Sequence, residues 1–301
     1  MQPSAAMRAW MRIFGAALAM GIIWCGSGFD RASAAEPVNS DAPPHIQVVA
    51  ESWYPYSYEE GGVVRGRATE TVLKVLAHAG LDYTITLYPW PRAYRMAQER
   101  ENVLVYAMIK TPAREKIFQF VGQVMEGDRF YFFGLTGRTD IRLEQPQDAK
   151  AFRIATTQDS AMMAFLRDNG YPHIQPLFDI QLGFRQLQYG RVDLILTTAV
   201  NVAAHVRSGD IQRGSVAPYG WAFDAEPHMA FSAQTEPRVV ERVRAAYEDL
   251  VRAGQLPVFG ARPYCGLDVL SDGVGEGCGG ESEAAKDDPD TNRNGGTRGD
   301  R

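Results

Sequence analysis

The sequence predicts an α/β protein with two lobes, each built from a mainly parallel sheet flanked by helices. Between residues 45 and 261, short apolar runs typical of buried strands alternate with segments whose apolar residues recur at helical spacing. Such alternation favours parallel strands with helices packed on both faces. The stretch is too long for one small sheet, and the aromatic run at residues 130–133 indicates a strand crossing between two lobes.

The spacing of apolar residues, together with residues that begin or end helices, predicts the individual elements along the chain. Strands are favoured where apolar, β-branched or aromatic residues concentrate, and helices where apolar residues recur every three or four positions. These rules predict strands at residues 46–50, 83–87, 103–107, 154–156 and 192–196, and helices at residues 69–79, 91–100, 160–169, 180–189 and 200–207. A longer helix follows, with Thr235 expected as its N-cap and Gly254 just after its end.

The N-terminal 35 residues are typical of a secretory signal. Two arginines precede an apolar segment at residues 13–26, which is too short to span a bilayer comfortably, and small residues at 32–35 offer a cleavage site. We expect residues 1–35 to be removed on export to the periplasm and residues 36–44 to form a linker. The alternative is an uncleaved membrane anchor.

Composition and cysteine content limit the function classes. The chain has 45% apolar residues, 22% charged residues, a net charge of -5 and no basic run, which argues against nucleic-acid binding. Export would remove Cys25 and leave Cys265 and Cys278 in an oxidising compartment, either joined in a disulfide or as two free thiols. Residues 279–301 are almost devoid of apolar side chains, so we expect a disordered tail.

Several short motifs, none of them strong alone, occur in an order that resembles a known family. They are Trp53-Tyr54-Pro55-Tyr56, Gly66, Pro89-Trp90-Pro91-Arg92-Ala93, Thr111-Pro112-Ala113-Arg114 and Gly190-Arg191-Val192-Asp193. From about residue 46 to residue 259 the chain is thereby similar to the extracellular solute-binding proteins of family 3, the amino-acid receptors of ABC importers.

The resemblance implies the type 2 periplasmic binding fold with a hinge of two strands. Lobe 1 would comprise residues 45–133 and 228–265, and lobe 2 residues 136–226. It also implies a monomer that captures a small anionic molecule, a carboxylate or an amino-acid-like ligand, between the lobes without a cofactor and delivers it to a membrane permease.

Arg114 is the residue most strongly indicated for ligand binding. Pro112 can begin a short helical turn capped by Thr111, and the free N–H groups of such a turn attract anions. The guanidinium of Arg114 can hold a carboxylate through two hydrogen bonds, and the resemblance implies that role for it. The alternative is a surface arginine at an ordinary helix start.

Aromatic and hydroxyl residues complete the expected site. The resemblance places Trp53 and Trp90 where their rings either stack on the ligand or pack in the core. Ser160 precedes a helix and either adds to the anion site from lobe 2 or only caps that helix. Arg92 either reaches the cleft or pairs with Glu70, and the structural role is favoured.

The chain departs from the family pattern at two places. Ala107 and Ile109 stand where the receptors have small or hydroxyl-bearing residues, so a side-chain hydroxyl is lost. Thr198 stands where the receptors have an aspartate that pairs with the ligand's α-ammonium group. Because an unpaired ammonium is costly to bury, either Glu51 or Asp224 replaces that aspartate or the ligand is not an ordinary α-amino acid.

These observations favour a binding protein without catalytic activity. The leading interpretation is the receptor of an ABC importer, and the second is a sensory partner that reports the solute to a membrane receptor. A few proteins with this fold are dehydratases of cyclic acids, and Glu51 is the one obvious acid or base for such a reaction. The histidines lack the paired spacing of a zinc site, so no metal is expected.

Overall fold

The computed structural model describes residues 43–259 together with residues 267 and 270. The predicted signal at residues 1–35, most of the predicted linker, Cys265, Cys278 and the predicted tail at residues 279–301 lie outside the described residues, so those expectations stay predictions. Within the described part of the chain, no helix is both long and apolar enough to cross a membrane.

The first lobe contains a five-stranded sheet in which four strands point the same way. Across the sheet, the strands are β4 (Tyr83–Leu87), β1 (Ile46–Ala50), β5 (Val103–Ile109), β12 (Pro227–Ser232) and β6 (Phe118–Gln123). Strand β1 pairs in parallel with β4 and β5, whereas β12 runs antiparallel to β5 and β6. Every residue of β5 is buried, as expected for a central strand covered on both faces.

Helices cover this sheet, and a small hairpin flanks it. The elements are the hairpin strands β2 (Tyr58–Glu60) and β3 (Val63–Arg65) and the helices α1 (Arg67–His78), α2 (Trp90–Glu99), α3 (Pro112–Glu115) and α7 (Pro237–Arg252). Gly66, just before α1, has φ of 121°, and a Cβ there would lie 2.3 Å from the carbonyl oxygen of Tyr56, so only glycine fits.

The cap predicted for the last helix is wrong. Glu236 is the N-cap of α7 and makes no side-chain capping bond, while Pro237 occupies the first helical turn. Thr235 instead accepts a hydrogen bond from the backbone N–H of Asn102 at 3.0 Å and bonds the hydroxyl of Ser232 at 2.8 Å. The threonine therefore ties the turn before α7 to the start of β5, a long-range contact that local sequence does not encode.

The second lobe repeats the arrangement of the first. Across its sheet, the strands are β11 (Val216–Ala225), β7 (Asp128–Leu135), β10 (Leu194–Thr198), β8 (Ile154–Thr157) and β9 (Ile174–Leu177). Strand β8 is parallel to β9 and β10, and β7 is antiparallel to β10 and β11. The helices α4 (Ala161–Asp168), α5 (Ile180–Gln188) and α6 (Ala199–Arg207) follow β8, β9 and β10, so all three begin at one edge of the sheet.

The chain crosses between the lobes before β7 and again between β11 and β12. Strand β7 pairs along its length with β10 and β11, so the aromatic run at residues 130–133 belongs to the second sheet. The predicted end of lobe 1 at residue 133 therefore falls within a strand of the second sheet. The prediction failed because a strand buried on both faces has the same apolar sequence whichever sheet it joins.

Candidate functional site

A cavity of about 50 Å³ lies between the lobes, next to the carboxyl ends of the parallel strands of both sheets. Ligands of open α/β sheets bind at this edge. From lobe 1 it is lined by Glu51, Ser52, Trp53, Trp90, Ala107, Ile109 and Arg114. From lobe 2 it is lined by Phe130, Thr157, Ser160, Ala161, Met162, Ile180, Thr197, Thr198 and Asn201.

Eight of the nine residues that the sequence assigned to ligand binding line this cavity. The exception is Thr111, which lies on a neighbouring outer groove and caps the turn that carries Arg114. Its Oγ1 accepts a hydrogen bond from the backbone N–H of Arg114 at 3.3 Å. Asp224, a candidate partner for an ammonium group, is also outside the cavity and pairs with Arg129 at 3.4 Å.

Arg114 is buried at the junction of the lobes, with 5% of its surface exposed, so it is not the surface arginine of the alternative. Its Nη1 donates to the carbonyl oxygen of Ile109 and its Nη2 to that of Asp159, each at 2.9 Å. The guanidinium carbon also lies 5.4 Å from the ring centre of Trp90 and 5.1 Å from that of Tyr94. Burial lowers the pKa of Arg114, and Tyr94 and the nearby acids oppose that shift. The side chain is therefore a fixed cation with further N–H groups beyond the two that these carbonyls accept.

The carbonyl group of Asp159 connects the lobes. It belongs to lobe 2 and accepts hydrogen bonds from two lobe 1 side chains, Nη2 of Arg114 at 2.9 Å and Nε1 of Trp90 at 3.0 Å. Asp159 has φ of 57°, and Ala107 in the opposite wall has φ of 55° where β5 bulges against β12. Left-handed backbone at non-glycine residues costs on the order of 1–3 kcal/mol and is concentrated at ligand-binding sites.

The polar side chains that lobe 2 brings to this edge are largely engaged in capping its own helices. Oγ of Ser160 accepts from the N–H of Met163 at 3.1 Å and donates to the carbonyl of Thr157 at 2.6 Å. Thr198 caps α6 by accepting from the N–H of Asn201 at 3.2 Å. The hydroxyl group of Ser160 thus already donates its proton to a backbone carbonyl, which favours the capping alternative for this residue.

By contrast, two polar side-chain groups in the lobe 1 wall of the cavity make no hydrogen bond to the described part of the chain. The indole N–H of Trp53 has no hydrogen-bond partner among the described residues, although the side chain is only 9% exposed. The half-buried carboxyl group of Glu51 makes no hydrogen bond or ion pair within the described part of the chain. Burial raises the pKa of Glu51 to about 7; Asp179 also raises it and Arg114 lowers it. Both groups are available to a ligand.

Asp128 is a buried acid behind the cavity that sequence reasoning missed. It is fully buried at the start of β7, where one carboxylate oxygen accepts from the N–H of Arg129 at 2.8 Å and the other has no partner among the described residues. Burial raises the pKa of Asp128 to about 8, although bonds from Arg129 and the hydroxyl of Thr198 oppose the shift. An aspartate before an apolar run carries no sequence signal for such burial.

The remaining cavity residues were also missed by the sequence analysis. Most follow the parallel strands of lobe 2, so the tendency of ligands to bind at carboxyl ends of strands was the available signal. They are Ser52, Phe130, Thr157, Ala161, Met162, Ile180, Thr197 and Asn201. Arg92, expected to be structural, is exposed and lies over the ring of Tyr88 at 4.3 Å; none of the ion pairs in the described residues joins it to Glu70.

Solved structures with this arrangement of lobes are numerous, although no protein-family model and no curated protein matches the sequence. A histidine kinase sensor domain with similarity to periplasmic binding proteins matches with a TM-score of 0.62 and 15% identity over 70% of this chain and 92% of that domain. An ancestral arginine-binding protein bound to arginine matches with a TM-score of 0.58 and 18% identity over 70% of this chain and 93% of that one.

The arginine-, lysine-, histidine-binding protein ArtJ of Geobacillus stearothermophilus matches with a TM-score of 0.58 and 16% identity, over 70% of this chain and 91% of ArtJ. At such identities the likeness concerns the fold. The chain has the two-lobed α/β fold of periplasmic binding proteins, and the predicted fold class is confirmed.

Proposed function

We propose that this protein is a periplasmic solute-binding protein of the family 3 type, which captures a small carboxylate or amino-acid-like ligand for an ABC importer. The observation that carries the proposal is the buried guanidinium of Arg114 in the wall of the interlobe cavity. A guanidinium can form two parallel hydrogen bonds to the two oxygens of a carboxylate. The attraction between the two charged groups is stronger where water is excluded. The amino-acid-binding neighbours of the same fold support this class of ligand.

The cavity wall suggests how each group would contribute. Arg114 would receive the carboxylate, and the unpartnered N–H of Trp53 would donate to the ligand from the same lobe. The rings of Trp53 and Trp90 would cover the apolar part of the ligand. Because the cavity is small, the lobes must separate for entry and close again, as in hinge-type binding proteins.

A thermal-shift screen of carboxylates, amino acids and opine-like acids tests the proposal. A ligand at one hundred times its Kd should stabilise the folded protein by about 2.7 kcal/mol. Arg114→Ala should abolish the shift, and Arg114→Lys, which keeps the charge but loses the fork, should reduce affinity at least tenfold. Arg95→Ala is the matched control, because that arginine is exposed and lines neither the cavity nor the cleft beside it. A ligand shift that survives both Arg114 variants would contradict the proposed site.

A sensory role is the second candidate, and the sensor-domain neighbour is the observation that favours it. In that role the closed, ligand-loaded protein would contact a membrane receptor instead of a permease. Genes for a permease and an ATPase beside the coding sequence would support import, and a gene for a membrane receptor there would support sensing.

Glu51 favours a third candidate, a dehydratase of cyclic hydroxy acids. A carboxyl group whose pKa is about 7, in a cavity where Arg114 would hold the substrate's carboxylate, is suited to general acid or base catalysis. Loss of a cyclic hydroxy acid upon incubation with the protein, abolished by Glu51→Gln, would establish this activity. Binding without turnover would contradict it.

A further inference from the structure

Charged side chains are scarce in the wall of the interlobe cavity. Among the residues that line it, only Glu51 and Arg114 are acids or bases, and both belong to lobe 1. The described lobe 2 residues of the wall have hydroxyl, amide or apolar side chains and no charged one. Asp224 lines the outer groove instead. The charge of a bound ligand is therefore balanced against two groups.

Those two groups favour a ligand with a single negative charge. Arg114 is a buried cation. Burial favours the uncharged form of Glu51, as does the nearby carboxylate of Asp179, and Arg114 opposes both. With Glu51 protonated, the wall carries one positive charge, which one carboxylate neutralises. A second positive charge on the ligand would then be buried without a counter-ion, which is costly.

The indole of Trp53 adds a requirement for a hydrogen-bond acceptor. Its Nε1 is fully buried in the lobe 1 wall and has no partner among the described residues. The ring packs edge-on against Tyr56, with ring centres 5.3 Å apart. The Arg114 guanidinium lies over two other rings, those of Trp90 and Tyr94, so the two donors belong to different parts of the wall. An ammonium group offers N–H donors only, whereas a hydroxyl or carbonyl oxygen accepts from an indole.

We infer that the ligand is a hydroxy or oxo carboxylate without an ammonium group, and that its neutral oxygen accepts the indole N–H of Trp53. The inference rests on the proposed function, which places the carboxylate at Arg114. Protonated Glu51 is a second neutral donor in the same wall. Thr198, at the place where the receptor pattern has an acid, fits such a ligand, because no ammonium group then needs a counter-ion.

Calorimetry with compounds of equal length tests the inference. Pyruvate, lactate, alanine and propanoate share a three-carbon chain and differ only at the carbon next to the carboxylate. Pyruvate or one enantiomer of lactate should bind about ten times more tightly than propanoate and alanine at pH 6, because only these two bring a neutral acceptor. The two-carbon set of glyoxylate, glycolate, glycine and acetate repeats the comparison, as does the corresponding four-carbon set.

The outcomes separate the inference from the proposed function. Propanoate or alanine bound as tightly as pyruvate and lactate, in all three sets, would overturn the inference and leave the carboxylate site at Arg114 standing. A panel in which no compound binds would contradict the carboxylate site and the inference with it.

Trp53→Phe removes the indole N–H and keeps an aromatic ring. It should lower the affinity for pyruvate and lactate about five times more than the affinity for propanoate, since only the first two use the N–H. Trp221→Phe is the matched control and should change none of these affinities, because Nε1 of Trp221 bonds Asp224 outside the cavity. Equal losses for the three compounds would overturn the role given to the indole.

NMR of the indole N–H groups tests the same contact in the unaltered protein. The Trp53 signal, identified by its absence from the spectrum of Trp53→Phe, should move downfield with saturating pyruvate or lactate and move less with propanoate. The Trp221 signal should stay in place. A Trp53 signal that bound pyruvate and lactate leave unmoved would overturn the inference.

The affinity for pyruvate should also fall between about pH 6 and pH 8. Burial and the charge of Asp179 raise the pKa of Glu51 to about 7 against the effect of Arg114, and Glu51 donates only while it is protonated. Glu51→Gln keeps a donor and cannot ionise, so the fall should disappear. Glu70→Gln, at an exposed position, should retain it. An affinity that rises with pH in the unaltered protein would overturn the assignment of Glu51 as a neutral donor.

Discussion

The two walls of the cleft are built on different principles. In the lobe 1 wall, Trp53 and Glu51 have polar groups without partners among the described residues, and Arg114 has donors beyond those it uses. In the lobe 2 wall, the hydroxyls of Ser160 and Thr198 already cap helices. Under the proposed function, lobe 1 would therefore supply most of the groups that recognise the ligand, and lobe 2 would mainly close the site with side chains that are already bonded.

Asp128 is the exception to this contrast, because it is a lobe 2 acid and one of its carboxylate oxygens has no partner in the described part of the chain. Its pKa is raised from 3.8 to about 8, so the folded state binds more protons than the unfolded state between these values. Stability should therefore fall as pH rises from about 4 to about 8, by on the order of a few kcal/mol. Asp128→Asn should remove most of that fall and be more stable than the unaltered protein at pH 8.5, as measured by urea unfolding.

The control for this prediction is Asp140→Asn. Asp140 is exposed, and its pKa is lowered, chiefly by a hydrogen bond from Arg138, so its replacement should leave the fall in stability with pH in place. If the free energy of unfolding changed with pH in the same way in Asp128→Asn and in the unaltered protein, Asp128 would be charged in the folded state and the prediction would be wrong.

Thr198→Val should separate structure from recognition in lobe 2. The variant removes the cap of α6 and the hydroxyl that bonds Asp128, so unfolding in urea should become easier by about 1–2 kcal/mol. Thr198→Ser keeps the hydroxyl and should lose less. Ligand affinity should change less than about threefold in both. If affinity collapses while stability holds, the hydroxyl of Thr198 contacts the ligand and the contrast between the walls fails.

Trp90→Phe should give the smallest of these effects, and it tests how much the hydrogen bond to the Asp159 carbonyl contributes to ligand affinity. Phenylalanine keeps a ring but loses the Nε1 bond to Asp159 at 3.0 Å, which should raise the ligand Kd by about fivefold. Trp221→Phe is the control, since the Nε1 of Trp221 bonds Asp224 outside the cavity. Equal Kd values for the two variants would show that the bond across the lobes adds nothing to closure.

The sequence predicted the fold class because alternating strands and helices with glycine stops are local signals. It predicted most of the lobe 1 wall because the family resemblance places Trp53, Trp90 and Arg114 there, and the turn that carries Arg114 also has a local reason for its residues. Strand β7 was assigned to the wrong lobe, and Thr235 was wrongly assigned as a helix cap. Both errors arose because strand pairing and the hydrogen bond to Thr235 join residues that are far apart in the sequence. Asp179 and Asp128 were missed because their proximity to the site follows from lobe closure and burial, which no local pattern reports.

Arg114, as the ligand's partner at the interface of the lobes, is the residue on which the proposed function depends most. A crystal structure of the protein with the compound that gives the largest thermal shift tests this directly. We expect the ligand's carboxylate to lie within hydrogen-bond distance of the Arg114 guanidinium and to be enclosed by residues of both lobes. A ligand bound elsewhere, with Arg114 still bonded to the carbonyls of Ile109 and Asp159 and making no contact with the ligand, would contradict this assignment.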